Sequence, residues 1–324
     1  MSRNAQGALT ALLAMAIYAT HDVVAKILGQ HYHAAQIVFF AALLSFPLIS
    51  VVLIHSGRSG SLRPVHPGWL LLRTICVVTT GLAAFHAFAV LPLAQTYAIL
   101  FATPLMITLM AIPLLGERVG LHRGGAVVVG LIGVLVVLRP GGLDLSMGHL
   151  SALAAAVMGA LASVIARKIG HDERATVMLL FPMLGNVLVM GAILPFVYRP
   201  ITLPHLGFEA IIATFGLIAA ALSIRAYRMA EAVIVAPMQY SQIIWATLFG
   251  LLLFDEGVDG PTLLGAGIII ASGVYIVLRE GRAGTSPTQP VLAARMRSET
   301  GITPRTSLIQ RLWFPKSRDD GGPI

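Results

Sequence analysis

Residues 7–28 read GALTALLAMAIYATHDVVAKIL, and residues 148–170 read GHLSALAAAVMGALASVIARKIG. Both open on glycine, pass through Leu-Ser/Thr-Ala-Leu, and carry a basic residue near the end. Each is long enough to cross a bilayer core of ~30 Å, which takes roughly 20 apolar residues of helix. A second match follows in the same order. LLGERVGLHRGGAVVVGLIGVLVVLRP at 114–140 echoes LLFDEGVDGPTLLGAGIIIASGVYIVLRE at 252–280, with Glu117 on Glu256 and Arg139 near Arg279. The offset is close to 140 residues in both matches, so the chain reads as a duplication.

Working outward, apolar stretches occupy 5–28, 34–54, 69–90, 92–115, 121–138, 147–169, 176–197, 205–229, 233–254 and 261–278. Five stretches per half is an odd number, so the second copy is expected to be inverted in the membrane, an architecture that recurs in secondary transporters. The expected fold is an all-α membrane protein. It has ten transmembrane helices as two inverted five-helix repeats, N-in and C-in, with repeats at 1–140 and 147–282. Residues 283–324, rich in Pro, Ser, Thr, Gly and basic residues, read as a disordered basic cytoplasmic tail. Within it, Leu308, Ile309, Leu312, Trp313 and Phe314 among basic residues suggest an alternative, a short interfacial helix.

Composition agrees. Hydrophobic residues make up 57% of the 324 and charged residues only 11%, against about 25% in soluble domains. The net charge of +8 could suggest a nucleic-acid partner, but its placement follows membrane topology. With the N-terminus inside, thirteen Lys and Arg before the tail fall on the cytoplasmic side and only Lys26, Arg139 and Arg199 fall opposite. No nucleic acid is therefore expected. A signal peptide is also an unsuitable reading of the first stretch, which is long and contains His21 and Asp22. One cysteine, Cys76, excludes a disulfide framework and a multi-cysteine metal site.

Three features carry a family resemblance: the paired five-span halves, the acidic residue closing each fourth span (LLGER at 114–118, LLFDE at 252–256), and the glycine-rich fifth span ending in VVLRP or YIVLRE. Over roughly residues 5–280 the chain resembles the EamA-type proteins of the drug/metabolite transporter superfamily. The resemblance implies ten helices, a central cavity and alternating access in a bacterial inner membrane. YATHDVVAKILGQHYHAAQIVFF and APMQYSQIIWATLFGLLLFDE look like the branch that includes riboflavin and S-adenosylmethionine importers. That branch often has Asn-Asp where this chain has His21-Asp22.

Ionisable groups inside a span usually face a cavity or a partner. Asp22 is read either as a site for a cationic group or coupling proton, or as the partner of Lys26 one turn on. His21 and His86 are candidate cavity residues, with a buried, hydrogen-bonded neutral histidine as the alternative. Gln239, Tyr240, Gln242 and Trp245 form the densest polar group of the ninth span. Their amides could bond a polar ligand and Trp245 could stack on an aromatic one; helix–helix bonding is the alternative. Tyr97 joins the candidates from the fourth span, where Pro104 could bend the helix. Asn186 reads as a packing hydrogen bond, Arg225 and Arg228 as topology determinants, and Glu117 and Glu256 as structural. Ala126 with Gly130, and Gly267 with Ala271, have a small-xxx-small spacing that suits internal packing or a homodimer through the fifth and tenth helices.

An enzyme is not expected. The chain has no HExxH helix, no G-x-S-x-G, and no Walker loop. His31-x-His33 alone makes a poor metal site. No cofactor is implied. The expected activity is secondary transport of a small organic metabolite, riboflavin first and S-adenosylmethionine second, with export of amino acids or amines as a further alternative.

Overall fold

The computed structural model describes residues 3–55, 62–117, 120–139, 145–170 and 172–280. The tail beyond 280, with its expected disorder or interfacial helix, lies outside the described residues. Among the described residues all regular structure is helical. In chain order the helices are α1 (Arg3–Gly29), α2 (Ala34–His55), α3 (Pro67–Val90), α4 (Leu93–Leu100), α5 (Thr103–Leu115) and α6 (Leu121–Leu138). Then follow α7 (Met147–Ile169), α8 (Ala175–Val197), α9 (Leu203–Met229), the short α10 (Ala232–Val235), a 3₁₀ turn (Ala236–Ser241), α11 (Gln242–Phe254) and α12 (Gly260–Glu280). Eight segments are long and apolar enough to cross a membrane, with Leu93–Leu115 counted as one.

The halves pack as a duplicated chain should. α1 lies on α9 and α3 on α7, while α2 pairs with α8, α4 with α11 and α6 with α12. Exchanging the two halves maps this set of pairs onto itself.

Both the fourth and the ninth apolar stretches are discontinuous. α4 stops at Leu100, the chain turns at Phe101 and Ala102, and α5 restarts with Pro104 in its first turn. Proline lacks an N–H, so the first turn of a new helix is where it fits best. In the ninth stretch Pro237 opens the 3₁₀ turn between α10 and α11. Interrupted helices free backbone groups where a membrane protein lines a cavity.

Each of these stretches ends on a left-handed residue, Gly116 (φ 68°) after α5 and Asp255 (φ 55°) after α11. The next N–H reaches back six residues: Glu117 to the Ala111 carbonyl at 3.4 Å and Glu256 to the Gly250 carbonyl at 2.9 Å. This bond, with the left-handed residue before it, closes the helix end and turns the chain sharply. The same cap therefore presents both glutamates.

Small residues bring α6 and α12 together. A Cβ on Gly133 would stand 2.9 Å from the Gly265 carbonyl oxygen, and the Ser272 hydroxyl donates to the Ala126 carbonyl. Gly130 is likewise closed in by Leu105 and Ser272. Gly267 and Ala271 are exposed, with open space beside Gly267.

Candidate functional site

The innermost polar cluster sits where α1 meets α4. Asp22 is wholly buried and His21 nearly so. His21 Nδ1 donates to Asp22 Oδ1 at 2.8 Å, and the Tyr97 hydroxyl donates to Asp22 Oδ2. A carboxylate with two donors is stabilised in its charged form by charge-assisted hydrogen bonds. Lys26, the alternative partner read for Asp22, makes its ion pair elsewhere. It binds Glu256 Oε1 at 2.7 Å and the Leu91 carbonyl at 2.6 Å, and its ammonium lies 5.2 Å from the Phe254 ring centroid. Spacing of four on one helix puts two side chains within reach, but here a stronger set of acceptors arrives from other elements.

An aromatic run leads away from Asp22. Phe88 meets Tyr97 edge-on at 5.4 Å between centroids, Tyr97 lies 6.1 Å from Phe101, and Phe101 meets Tyr240 edge-on at 5.1 Å. Thus Tyr97 of the fourth stretch and Tyr240 of the ninth belong to one run, across the discontinuities of both helices. Tyr240 is buried and fits because Gly273 on α12 leaves room for its hydroxyl. Two residues on, Gln242 is buried and its Nε2 has no hydrogen-bond partner. A buried amide donor with no acceptor is unfavourable, and a ligand acceptor would satisfy it. Gln239 is half-buried, as is Trp245, which stacks on Phe249 at 6.2 Å.

His86 belongs elsewhere. Its Nδ1 lies 2.9 Å from the Ser151 hydroxyl, and it lines a cavity of 550 Å³ at the end of the molecule where α1 turns into α2. Gln30, His31, His33, Tyr198 and Arg199 share that cavity. His31 stacks on His205 at 5.0 Å, and among the described residues no group of three or more His, Cys, Asp or Glu is placed to hold a metal ion. Arg225 and Arg228 are exposed. Asn186 is buried with its Oδ1 unpartnered, so that oxygen does not make the expected packing bond.

Two further features escaped the sequence reading. One is the partnership of the capped glutamates. Glu256 takes Lys26 on one oxygen and the Leu93 N–H on the other at 3.0 Å, while Glu117 takes Arg167 at 2.5 Å. Both ion pairs join one half of the chain to the other. The second is Glu209 on α9, the one acidic residue in 205–229 and buried to 1% exposure. A lone carboxylate inside an apolar stretch was the signal that could have found it.

The EamA-like transporter family profile matches twice, over residues 5–139 and 146–279. The chain belongs to the EamA-like transporter family. It is a membrane transport protein, and each EamA-like unit contributes one discontinuous helix to the aromatic run. It is 24% identical over 272 residues to an S-adenosylmethionine uptake transporter of Rickettsia bellii, covering 84% of this chain and 93% of that one. It is 28% identical over 283 residues to a riboflavin transporter of Vibrio cholerae, covering 84% and 92%. A riboflavin transporter of Rhizobium johnstonii is 26% identical over 300 residues, covering 88% and 95%. A solved crystal structure of a protein at 17% identity superposes with a TM-score of 0.53, over 85% of this EamA-like chain and 96% of that one, which shows the shared fold.

Proposed function

We propose that this EamA-like transporter imports riboflavin across the bacterial inner membrane. The observation that carries the reading is the buried, unpartnered amide donor of Gln242 next to the Tyr97–Phe101–Tyr240 aromatic run. A flat, neutral heterocycle with carbonyl acceptors suits such a surface: its ring packs on aromatic faces and an oxygen accepts from Gln242. His21, Asp22 and Tyr97 hold the α1–α4 side of this site, with Gln239, Tyr240, Gln242 and Trp245 opposite. His86 serves the mouth of the path rather than its centre. The chain spans the membrane ten times as two inverted five-helix units with both termini inside. The open Gly267–Ala271 face of α12 is a proposed contact between two copies.

A second reading is favoured by Asp22. A buried carboxylate is a natural partner for a cation, and S-adenosylmethionine carries a sulfonium and an ammonium beside its adenine ring. Asp22 already has two donors, which makes it a weaker free acceptor, so riboflavin leads.

The test is uptake of labelled riboflavin by riboflavin-auxotrophic cells expressing the chain, beside empty-vector cells, with unlabelled riboflavin and S-adenosylmethionine as competitors. Saturable uptake competed only by riboflavin is expected. Competition by S-adenosylmethionine favours the second substrate. No uptake at verified membrane expression overturns riboflavin import.

A further inference from the structure

We propose that Glu209 is a proton-binding site that links transport by this protein to the pH gradient. Glu209 lies on the buried stripe of α9 with Ile212, Ala213 and Gly216, facing α1 and α2. It is 1% exposed, and neither carboxylate oxygen has a hydrogen-bond partner. Its neighbours Phe208, Ile211 and Ile212 pack against Val24, Leu28, Ala35 and Phe85. It does not line the 550 Å³ cavity. An ionised carboxylate with neither counter-ion nor donor is strongly unfavourable in such surroundings, and a bound proton removes the charge without needing space.

The packed elements carry several titratable and charged groups. On α1 these are Arg3, Tyr18, His21, Asp22 and Lys26; at the turn into α2 they are His31, Tyr32 and His33; before α9 stands Arg199. None forms an ion pair or hydrogen bond with Glu209. The contrast with Asp22 is instructive: two buried carboxyls in one protein, one with two donors and one with none. Such a split separates a carboxyl whose oxygens are engaged by fixed donors from one whose oxygens are open to a proton.

Polar side chains lead from this helix toward the cavity. His205 stands one helical turn, about 6 Å of rise, from Glu209 on the same helix. Its Nδ1 meets the Tyr32 hydroxyl at 2.8 Å and its ring stacks on His31, which lines the cavity. An imidazole can take a proton at one ring nitrogen and release one from the other, which suits transfer along this line.

Two measurements test the proposal. The first needs no substrate. Purified full-length protein in lipid is treated with dicyclohexylcarbodiimide, which reacts with protonated carboxyls in apolar surroundings, and the peptides are read by mass spectrometry. Label at Glu209 is expected, falling several-fold between about pH 6 and about pH 9, the range in which buried glutamates are known to titrate. No label at Glu209 overturns the site. The second uses riboflavin and rests on the import reading. In Glu209→Gln and Glu209→Asp, uptake should lose its acceleration by external acid in the Gln variant and keep it, displaced, in the Asp variant, with riboflavin counterflow persisting in both. An unaltered pH profile in the Gln variant overturns coupling through Glu209. Loss of counterflow in that variant assigns Glu209 to substrate binding and also overturns it. No riboflavin movement in the wild type defeats the substrate reading alone, and the carbodiimide result still decides the site.

Discussion

At the scale of single residues the decisive contrast is between polar groups that are satisfied and polar groups that are not. Asp22 is held by His21 and Tyr97, so replacing it with Asn should disturb a charge-assisted pair of bonds rather than one contact. Each such bond is worth about 1.5–3 kcal/mol. We therefore expect Asp22→Asn to lower initial uptake by about tenfold or more at equal membrane abundance. Uptake equal to wild type would reduce Asp22 to a packing role. Gln242 poses the opposite case, a donor awaiting an acceptor. Gln242→Leu is expected to raise KM for riboflavin while leaving thermal stability at least as high, because an orphaned buried donor is removed. A fall in stability with unchanged KM would show that the amide serves the fold. The sequence made Asp22 and Gln242 visible because polar residues stand out in apolar runs. It could not reveal that Lys26 turns to Glu256, because that partner is distant in the chain and reaches Lys26 only through the meeting of α1 with the α11 cap.

The helices themselves were largely legible. A run of about 20 apolar residues declares its own length, and the ten expected stretches coincide with α1, α2, α3, α4–α5, α6, α7, α8, α9, α10–α11 and α12 within a few residues. Pro104 also announced the bend of the fourth stretch. The 3₁₀ turn was less readable, since Pro237 fixes a helix start but not the tighter winding that follows it. Partner choice on glycine faces was not readable at all, because a small-xxx-small spacing states that a close approach is possible and not what approaches. The structure separates the two glycine positions. An alanine at Gly133 would press on the Gly265 backbone, which cannot rotate away, whereas Gly267 has open space. Overpacking of this kind costs about 1–3 kcal/mol. Gly133→Ala should lower the melting temperature of the detergent-solubilised protein, and Gly267→Ala should leave it within error of wild type. Equal behaviour of the two variants would mean that the α6–α12 contact is looser than its geometry.

Over the whole molecule, the two interhalf ion pairs are related by the duplication. Aligning Gly7 with Gly148 sets Lys26 on Arg167, and the acidic closing residues set Glu117 on Glu256. Lys26 of the first half grips Glu256 of the second, and Arg167 of the second half grips Glu117 of the first. If the halves are inverted, the pairs lie near opposite membrane faces and form two equivalent latches. They are not equally tight here. Around Lys26–Glu256 every acceptor is used: Leu91 and Leu93 complete the bonding. In the Arg167–Glu117 pair Glu117 Oε2 has no hydrogen-bond partner. Each pair has one partner at 5% exposure or less, and breaking a buried pair costs about 3–5 kcal/mol. If opening toward one face parts its own pair while the other holds, weakening one pair should bias the population toward that face. The expected outcome is read with Ala94→Cys, a buried position beside Leu93, in a background where Cys76 is replaced by alanine. Glu256→Gln should raise labelling of this cysteine by an impermeant maleimide added outside, Arg167→Gln should lower it, and the reversal pair Lys26→Glu with Glu256→Lys should return it toward the starting level. Equal labelling in Glu256→Gln and Arg167→Gln would mean that the pairs brace the fold without gating it.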